Sequence, residues 1–476
     1  MAKSIIKFIT QTLNRATTEG KGLKRWLHAT NIILPKTKGT PRADKLRIVH
    51  LFEADLNLWW KIIWAKRALR NCNKVMPQEQ WGGRGGRQAG DLAAMKETMF
   101  ATARVNHQHI GMVDLDASAC YDRITHASAY VASKWAGVPR EARTLLIEVL
   151  QHMEYDVRTS NGVSSLKYRH TPENPIHGTG QGSSASPAIW TMLSCGLIHI
   201  MNDKQQGVVS KGMVRENDVQ SAIAMYVDDA SLWAIDNNPM MMEKRLKHHL
   251  RCWSYLLRVS GGKLNLQKCF VYAADHTVSR VGVRASDRAV TLRNDGNVIE
   301  QKPCTTHHKT IGTYKSIHPR HPASIRIIRE KSTATAALAA KANTGPDGTL
   351  ILYQQYYLPR LRYLLTTADF TEKQLRIAMQ PACTLLLRAC GFSSKFPRAV
   401  LHAPTKAGGA NIHSMYSIQT ACNLAMITRM LRSDTKLRQM MENLLDRLTI
   451  YNGLPGNVLT TDIGSWVPWI LCPWSK

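Results

Sequence analysis

The 476-residue chain carries 63 Lys and Arg against 34 Asp and Glu, giving a formal charge of +29 and a pI near 9.9. That length buries large cores in roughly two to four lobes, and that charge, extreme for an ordinary enzyme, implies a polyphosphate partner bound in a steeply salt-dependent way. No apolar run approaches about 18 residues, so neither a spanning helix nor a membrane partner is expected, and ten cysteines without a CxxC spacing indicate reduced intracellular thiols.

Residues 1–30 hold six cations (Lys3, Lys7, Arg15, Lys21, Lys24, Arg25) and one acid, Glu19, with Ile5, Ile9 and Leu13 on one helical face. A basic helix leading into Trp26–Lys36 accounts for this better than an organellar presequence. Two strands follow around the Lys38-Gly39-Thr40-Pro41 turn, then a tryptophan-rich helix. Trp59 and Trp60 have rings suited to base stacking, but the i,i+4 spacing of Trp60 and Trp64 reads as core. Trp81-Gly82-Gly83-Arg84-Gly85-Gly86-Arg87 reads either as a basic nucleic-acid contact or as a plain linker.

An apolar strand then runs from Ile110 to Asp116, and a helical stretch follows with Tyr121 five residues on. Asn161-Gly162 marks a hairpin. Gly178-Thr179-Gly180-Gln181-Gly182-Ser183-Ser184-Ala185-Ser186-Pro187 is a glycine-rich loop opening an apolar helix. Glycines admit close backbone approach to a ligand, and a helix start favours anions. Next, Ala224-Met225-Tyr226-Val227-Asp228-Asp229-Ala230-Ser231-Leu232-Trp233 sets two acids in an apolar string. Buried carboxylates are costly without compensation. The string therefore reads as a hairpin whose turn presents both acids to metal ions, against the plain alternative of an Asp-bearing turn. Successive strand residues point to opposite faces, so the turn must re-aim at least one of the two.

The Pro239–Leu257 helix carries Lys244, Arg245, Lys247, His248, His249 and Arg251, mostly a solvated face, with template phosphates as the alternative partner. Cys304, His307 and His308 are the one metal-like cluster, and without a second half they do not make a zinc site. After residue 316 the pattern is helical. Thr371 and Gln374 form a capping box and Phe370 and Leu375 a staple, which marks a helix start. Arg320, Arg326, Arg329 and Lys331 are expected near a duplex. The tail from Leu454 holds Trp466, Trp469 and Trp474 and takes no assignment.

Three of these segments resemble the reverse transcriptases. Leu115-Asp116-Ala117-Ser118-Ala119-Cys120-Tyr121-Asp122 is similar to polymerase motif A, Gly178 to Pro187 to motif B (G-x-x-Q-G-x-x-x-S-P), and Tyr226 to Asp229 to motif C. They stand in the family order, with Gln181 65 residues after Asp116 and Asp228 another 47 on. Asn31–Lys36, Lys45–Val49 and Asn57 resemble the fingers, Gly261–Cys269 motif D, Thr310–Tyr314 motif E (the primer grip), and Ala407–Ile412 a thumb segment. The chain is identified as similar to a retroelement reverse transcriptase of the non-LTR kind over roughly residues 25–435.

The resemblance implies an α+β right-hand polymerase with fingers, a palm of antiparallel sheet backed by helices, and a helical thumb. The implied division is fingers 1–105, palm with a fingers insertion 106–315, thumb 316–435 and an extension 436–476 of unknown role. It implies an RNA-dependent DNA polymerase extending a primer 3′ hydroxyl, with an RNA template, a DNA or RNA primer and dNTPs as partners. Two Mg²⁺ ions, with Mn²⁺ as substitute, would be held by Asp116, Asp228 and Asp229. Tyr121 takes the position of the steric gate against a ribose 2′ hydroxyl. Gln181 and Gly182 would line the incoming nucleotide and template base, Arg47 and Lys36 would grip its triphosphate, and Lys268 would protonate pyrophosphate. Taken singly, Tyr121 also fits a packed helix aromatic, Arg47 and Lys36 solvated charges, and Lys268 a strand-edge lysine.

One departure from the family pattern is Asp114, which shares a strand face with Asp116 and competes as a ligand. Asp116 is preferred because it alone places Tyr121 five and Asp122 six residues on. Asp122 is read as structural, ion-paired to a fingers residue. An RNA-dependent RNA polymerase shares the acids, but the Tyr121 bulk argues against it. Intact acids argue against an inactive nucleic-acid-binding relic, and the lack of an evident DNA-binding tail argues against a group II intron maturase. A nuclear or cytoplasmic location is expected, with an organelle as the alternative from the basic N-terminus. Native template, priming mode and oligomeric state stay open.

Overall fold

The structure, a computed structural model, describes residues 2–36, 46–204, 207–212, 214, 217–280, 282–318, 321–342, 345–451, 453, 454 and 456–460. The Lys38–Pro41 turn, Arg320 and the three tail tryptophans lie outside the described residues.

A central sheet runs in the order Gly282–Asp287, Phe270–Ser279, His109–Asp116, Asp229–Asp236, Ile223–Tyr226, with these pairs antiparallel, and the short Glu300–Gln301 strand joins Phe270–Ser279 in parallel. The two middle strands are nearly all apolar because both faces are covered. Odd-numbered Val113 and Leu115 pack with Met242 and Leu246 of the Pro239–Val259 helix. Gly111 lies on that face too: a Cβ there would stand 2.7 Å from both Met242 and Leu246, so a side chain at this position would make the ends of those two shift. Even-numbered Ile110 and Met112 pack with Leu92, Met95 and Met99 of the Ala89–Val105 helix on the other face.

A smaller sheet pairs His28–Pro35 antiparallel with Leu46–Leu51 and parallel with Glu154–Thr159. The expected hairpin forms as Thr159 pairs with Gly162 across Ser160-Asn161. Trp59, Trp60 and Trp64 are all buried, so none is available to stack on a base.

The Ala2–Glu19 helix corrects the expected amphipathic face. Leu13 and Ala16 are buried, but Ile5 and Ile9 are exposed, as is Phe8 at 70%. Only the C-terminal turns reach the body, where the Trp59 indole donates to the Thr17 hydroxyl at 3.0 Å.

Past residue 316 the chain is helical. Pro322–Ala342 packs along Glu372–Ala389. The cap is reciprocal: Gln374 N donates to the Thr371 hydroxyl at 3.2 Å, and Thr371 N donates to the Gln374 amide at 2.9 Å. Phe370 and Leu375 are buried in the same helical core. The Met415–Arg432 and Lys436–Tyr451 helices then return to the body, where Arg429 pairs with Asp91 and Lys436 with Glu79. No helix among the described residues is long and apolar enough to cross a membrane.

Candidate active site

Asp116 ends its strand directly opposite Asp229, which begins the neighbouring one. Asp229 also pairs with Tyr226, so Val227 and Asp228 alone make the hairpin turn. Val227 adopts φ 61°, a left-handed conformation rarely taken by a β-branched residue. That kink lets Asp228 and Asp229 both reach the Asp116 end of the sheet. Like charges directly opposite each other destabilise a sheet, so the local fold works against itself unless a cation is supplied.

Several contacts hold the strained turn. The Trp190 indole donates to the Val227 carbonyl at 2.8 Å. Met225 N donates to Glu79 O, and Trp81 N to Met225 O, both at 2.8 Å. Gly82 then presses on the turn: a Cβ there would stand 2.3 Å from Val227 N. The Trp81–Arg87 segment is therefore neither a free nucleic-acid loop nor a plain linker. Its first residues buttress the acidic hairpin, Arg84 donates inward to Asn73 and Pro77, and Arg87 covers the Trp81 ring at 4.7 Å.

The glycine loop is stitched to both neighbours. Thr179 N donates to Tyr121 O and Gly178 N to Ile124 O, each at 2.8 Å, which docks the loop on the segment after Asp116. On the other side, His50 N donates to Gln181 O at 2.7 Å, and Ser184 N to the Asn57 side chain at 2.8 Å. Gly182, at φ 112°, faces His50 so closely that a Cβ would stand 2.3 Å from its carbonyl. Ser186 closes the loop by donating to Thr179 O and Gly180 O at 2.8 Å. Tyr121 is half-buried against the main core. The Gln181 amide donates to Asp122 at 3.4 Å, and burial raises the Asp122 carboxyl above its ordinary value, opposed in smaller measure by the Gln181 backbone and the Lys36 charge. Arg47 stands exposed opposite Leu34, with no hydrogen bond or ion pair to the acids among the described residues.

Asp114 is occupied elsewhere. The Lys96 ammonium, 1% exposed, donates to it at 2.7 Å, and the Ser231 hydroxyl at 2.5 Å. Lys96 also donates to Thr310 of the His308–Thr310/Thr313–Lys315 hairpin at 3.2 Å. Next to it in sequence, Glu97 accepts from Lys315 at 2.7 Å, and Lys315 also donates to the Thr367 carbonyl. These two residues, missed in the sequence, tie the proposed primer grip to the acidic strand from both sides.

Lys268 reaches Asp116 at 3.2 Å, and the Cys120 thiol donates to Asp228 at 3.8 Å. Burial raises the Asp228 carboxyl, with the Asp116 charge adding to it. Desolvation and then the Asp228 charge push Asp229 up to about 6. Three oxygen-donor carboxylates, two of them held above their ordinary range by burial and by neighbouring carboxylates, suit a hard divalent cation. As the side chains are turned, no three His, Cys, Asp or Glu among the described residues stand ready to share one ion. Asp116 leans to Lys268 and Asp228 to Cys120, so ligation calls for these side chains to turn from those partners. Cys304, His307 and His308 likewise form no metal cluster.

A family model described as "Reverse transcriptase (RNA-dependent DNA polymerase)" matches residues 34–285, just over half of the chain. The chain is similar to apo telomerase from Candida Tropicalis truncated from its C-terminal domain, at 15% identity over 57% of this chain and 56% of that one, with a TM-score of 0.36. Apo telomerase from the same organism is similar at 12% identity over 93% and 72%, TM-score 0.39. Telomerase from Candida albicans in complex with a TWJ fragment of telomeric RNA is similar at 10% identity over 95% and 68%, TM-score 0.41. The chain thus spans little more than half the length of the truncated telomerase. No curated protein matches the sequence.

Proposed function

The chain belongs to the reverse transcriptase family, and from that premise we propose that Asp116, Asp228 and Asp229 hold the two Mg²⁺ ions, or Mn²⁺ in their place, of a primer-extension site. It is an RNA-directed DNA polymerase, a nucleotidyltransferase, and members of the family use divalent metal ions. The register carries the assignment: Asp116 and Asp229 face each other across adjacent strands, with Asp228 in the turn beside them.

When bound, the ions stabilise negative charge on the attacking and leaving oxygens. The protein's own residues supply orientation and selection. Tyr121, held through its carbonyl by Thr179, places a ring against the sugar and selects deoxynucleotides. Gln181 and Gly182, braced by His50 and Asn57, line the nucleotide and template base. Arg47, exposed on its strand, and Lys36, exposed just past the end of the strand paired with it, take the triphosphate. Lys268 gives a proton to the departing pyrophosphate. An RNA template and a DNA or RNA primer are the macromolecular partners, and the motif resemblance supports a non-LTR retroelement origin.

The test is primer extension on an RNA template in Mg²⁺, with deoxynucleotides and ribonucleotides run in parallel. Extension with deoxynucleotides alone, abolished by Asp228→Asn with Asp229→Asn, is the expected result. Activity that survives the double substitution would overturn the site, and equal use of ribonucleotides would remove Tyr121 as gate.

A further inference from the structure

The Pro239–Val259 helix covers the face of the sheet opposite the acids. Asp114 and Asp116 share one face of their strand, while this helix lies over Gly111, Val113 and Leu115 on the other. Its buried stripe is Met242, Leu246, Leu250, Trp253 and Leu257. Its outward stripe is Lys244, Lys247, Arg251, Tyr255 and Arg258, at helical spacings of three and four.

Between this helix and the Arg293–Val298 hairpin lies a cleft of about 320 Å³. Leu250 and Leu292, both buried, form its floor, and Lys247, Arg251 and Arg293 rim it. Two acids partly offset the stripe: Glu243 pairs with Lys247 at 2.6 Å and Asp295 with Arg258 at 3.5 Å. Arg293 donates to the Gly296 carbonyl at 3.1 Å. No acid pairs with Lys244 or Arg251 among the described residues. Tyr255 is 59% exposed, with the Arg258 guanidinium 6.0 Å from its ring centroid. Cations lining a groove beside an exposed ring are the elements that grip single-stranded nucleic acid, phosphates on the cations and a base on the ring.

We propose that this cleft and stripe form a second RNA-binding track, on the rear of the palm, that holds single-stranded RNA outside the polymerase cleft. The stripe runs roughly 20 Å from Lys244 to Arg258. The track uses none of the acidic site, but its place outside the polymerase cleft rests on the reading given above. A wild-type chain that fails to extend primers would sink that reading, whereas the binding and crosslinking outcomes judge the track.

The experiment uses the full chain and fluorescein-labelled oligo-uridylate read by anisotropy. A saturating unlabelled RNA–DNA template–primer fills the polymerase cleft. Oligo-uridylate is expected to bind the filled enzyme. The K247Q/R251Q/R293Q variant should bind it at least tenfold more weakly, with a log–log salt slope shallower by about 2. Tyr255→Ala should weaken binding without changing that slope. Extension of the short template–primer should be unchanged in both, which also shows that the variants fold. Loss of all oligo-uridylate binding on filling the cleft would overturn the proposal. So would wild-type binding by the triple variant, or displacement by polyglutamate as effective as by unlabelled oligo-uridylate. Should the triple variant lose extension, photocrosslinking of 4-thiouridine RNA to the wild-type chain decides. Crosslinks within 244–258 or 291–298 support the track, and crosslinks confined elsewhere overturn it.

Discussion

Lys96→Met strands a charge two residues from the acidic site. Lys96 is 1% exposed and its ammonium lies 2.7 Å from Asp114, which is itself buried. Breaking a buried ion pair from one side costs about 3–5 kcal/mol, because the remaining charge loses its partner without regaining water. Asp114 keeps the Ser231 hydroxyl at 2.5 Å, and a hydrogen bond to a charged group contributes about 1.5–3 kcal/mol. The expected loss is therefore at the lower end, about 3 kcal/mol. For a cooperative unit of about 150–250 residues, each kcal/mol lowers Tm by about 2–4 °C. Calorimetry should thus find Lys96→Met melting about 6–12 °C below wild type. Adding Asp114→Asn removes the stranded charge while keeping an acceptor for Ser231, and should recover most of that loss. The double variant still lacks the Lys96–Thr310 bond at 3.2 Å. Its KM for primer should therefore stay raised after stability returns, while its KM for dNTP does not change. A single variant as stable as wild type, or a double variant melting no higher than the single, would refute the reasoning.

Three further outcomes follow from the site. Gly82→Ala puts a Cβ 2.3 Å from Val227 N and should cut kcat by at least tenfold, about 1.4 kcal/mol; Gly85→Ala, which meets nothing within 4 Å, should extend primers like wild type. Tyr121→Ala should narrow discrimination against ribonucleotides by at least about tenfold in competition assays, with dNTP extension retained. Because Asp229 is raised to about 6, the folded chain binds more protons than the unfolded chain between about pH 4 and 6. Its contribution to stability is present below about pH 4 and lost as pH rises through about 6. Mg²⁺ should accordingly raise Tm more near pH 7.5 than near pH 5, as read by thermal melts.

What could be read from the sequence was whatever chemistry forces a residue type at a fixed spacing. The preference for Asp116 over Asp114 rests on Tyr121 lying five residues on, and in the structure Asp114 is engaged by Lys96. The Thr371–Gln374 cap was legible because its parts lie within one helical turn. Contacts made at long range were not. Lys315 and Glu97 are 218 positions apart, and no periodicity links them. Lys96 did leave a trace, as one cation within the mostly apolar Leu92–Phe100 turns. The Glu79–Gly82 buttress left none, since Gly82 looks like the glycine of any loop. The exposed Ile5 and Ile9 show the limit of periodicity, which identifies an apolar face but not whether the body extends far enough to cover it.

Two adjacent charges in the middle of the Ala89–Val105 helix explain how a site built from mutually repelling acids keeps its shape. Repulsion at the strand ends favours splaying, so restraint must come from residues that do not themselves take part in the chemistry. Lys96 and Glu97 carry opposite signs on adjacent positions, about 100° apart around the helix. One anchors the Asp114 strand and Thr310, and the other anchors Lys315, whose ammonium also reaches the Thr367 carbonyl in the Pro359–Thr367 helix. Strand, hairpin and the Pro359–Thr367 helix are thereby referred to one rigid turn. A displacement of the Pro359–Thr367 helix then loads the Lys315 contact before it reaches the acids. Exchanging the two, Lys96→Glu with Glu97→Lys, would set a carboxylate against Asp114 and an ammonium against Lys315, so order as well as composition is fixed at these positions.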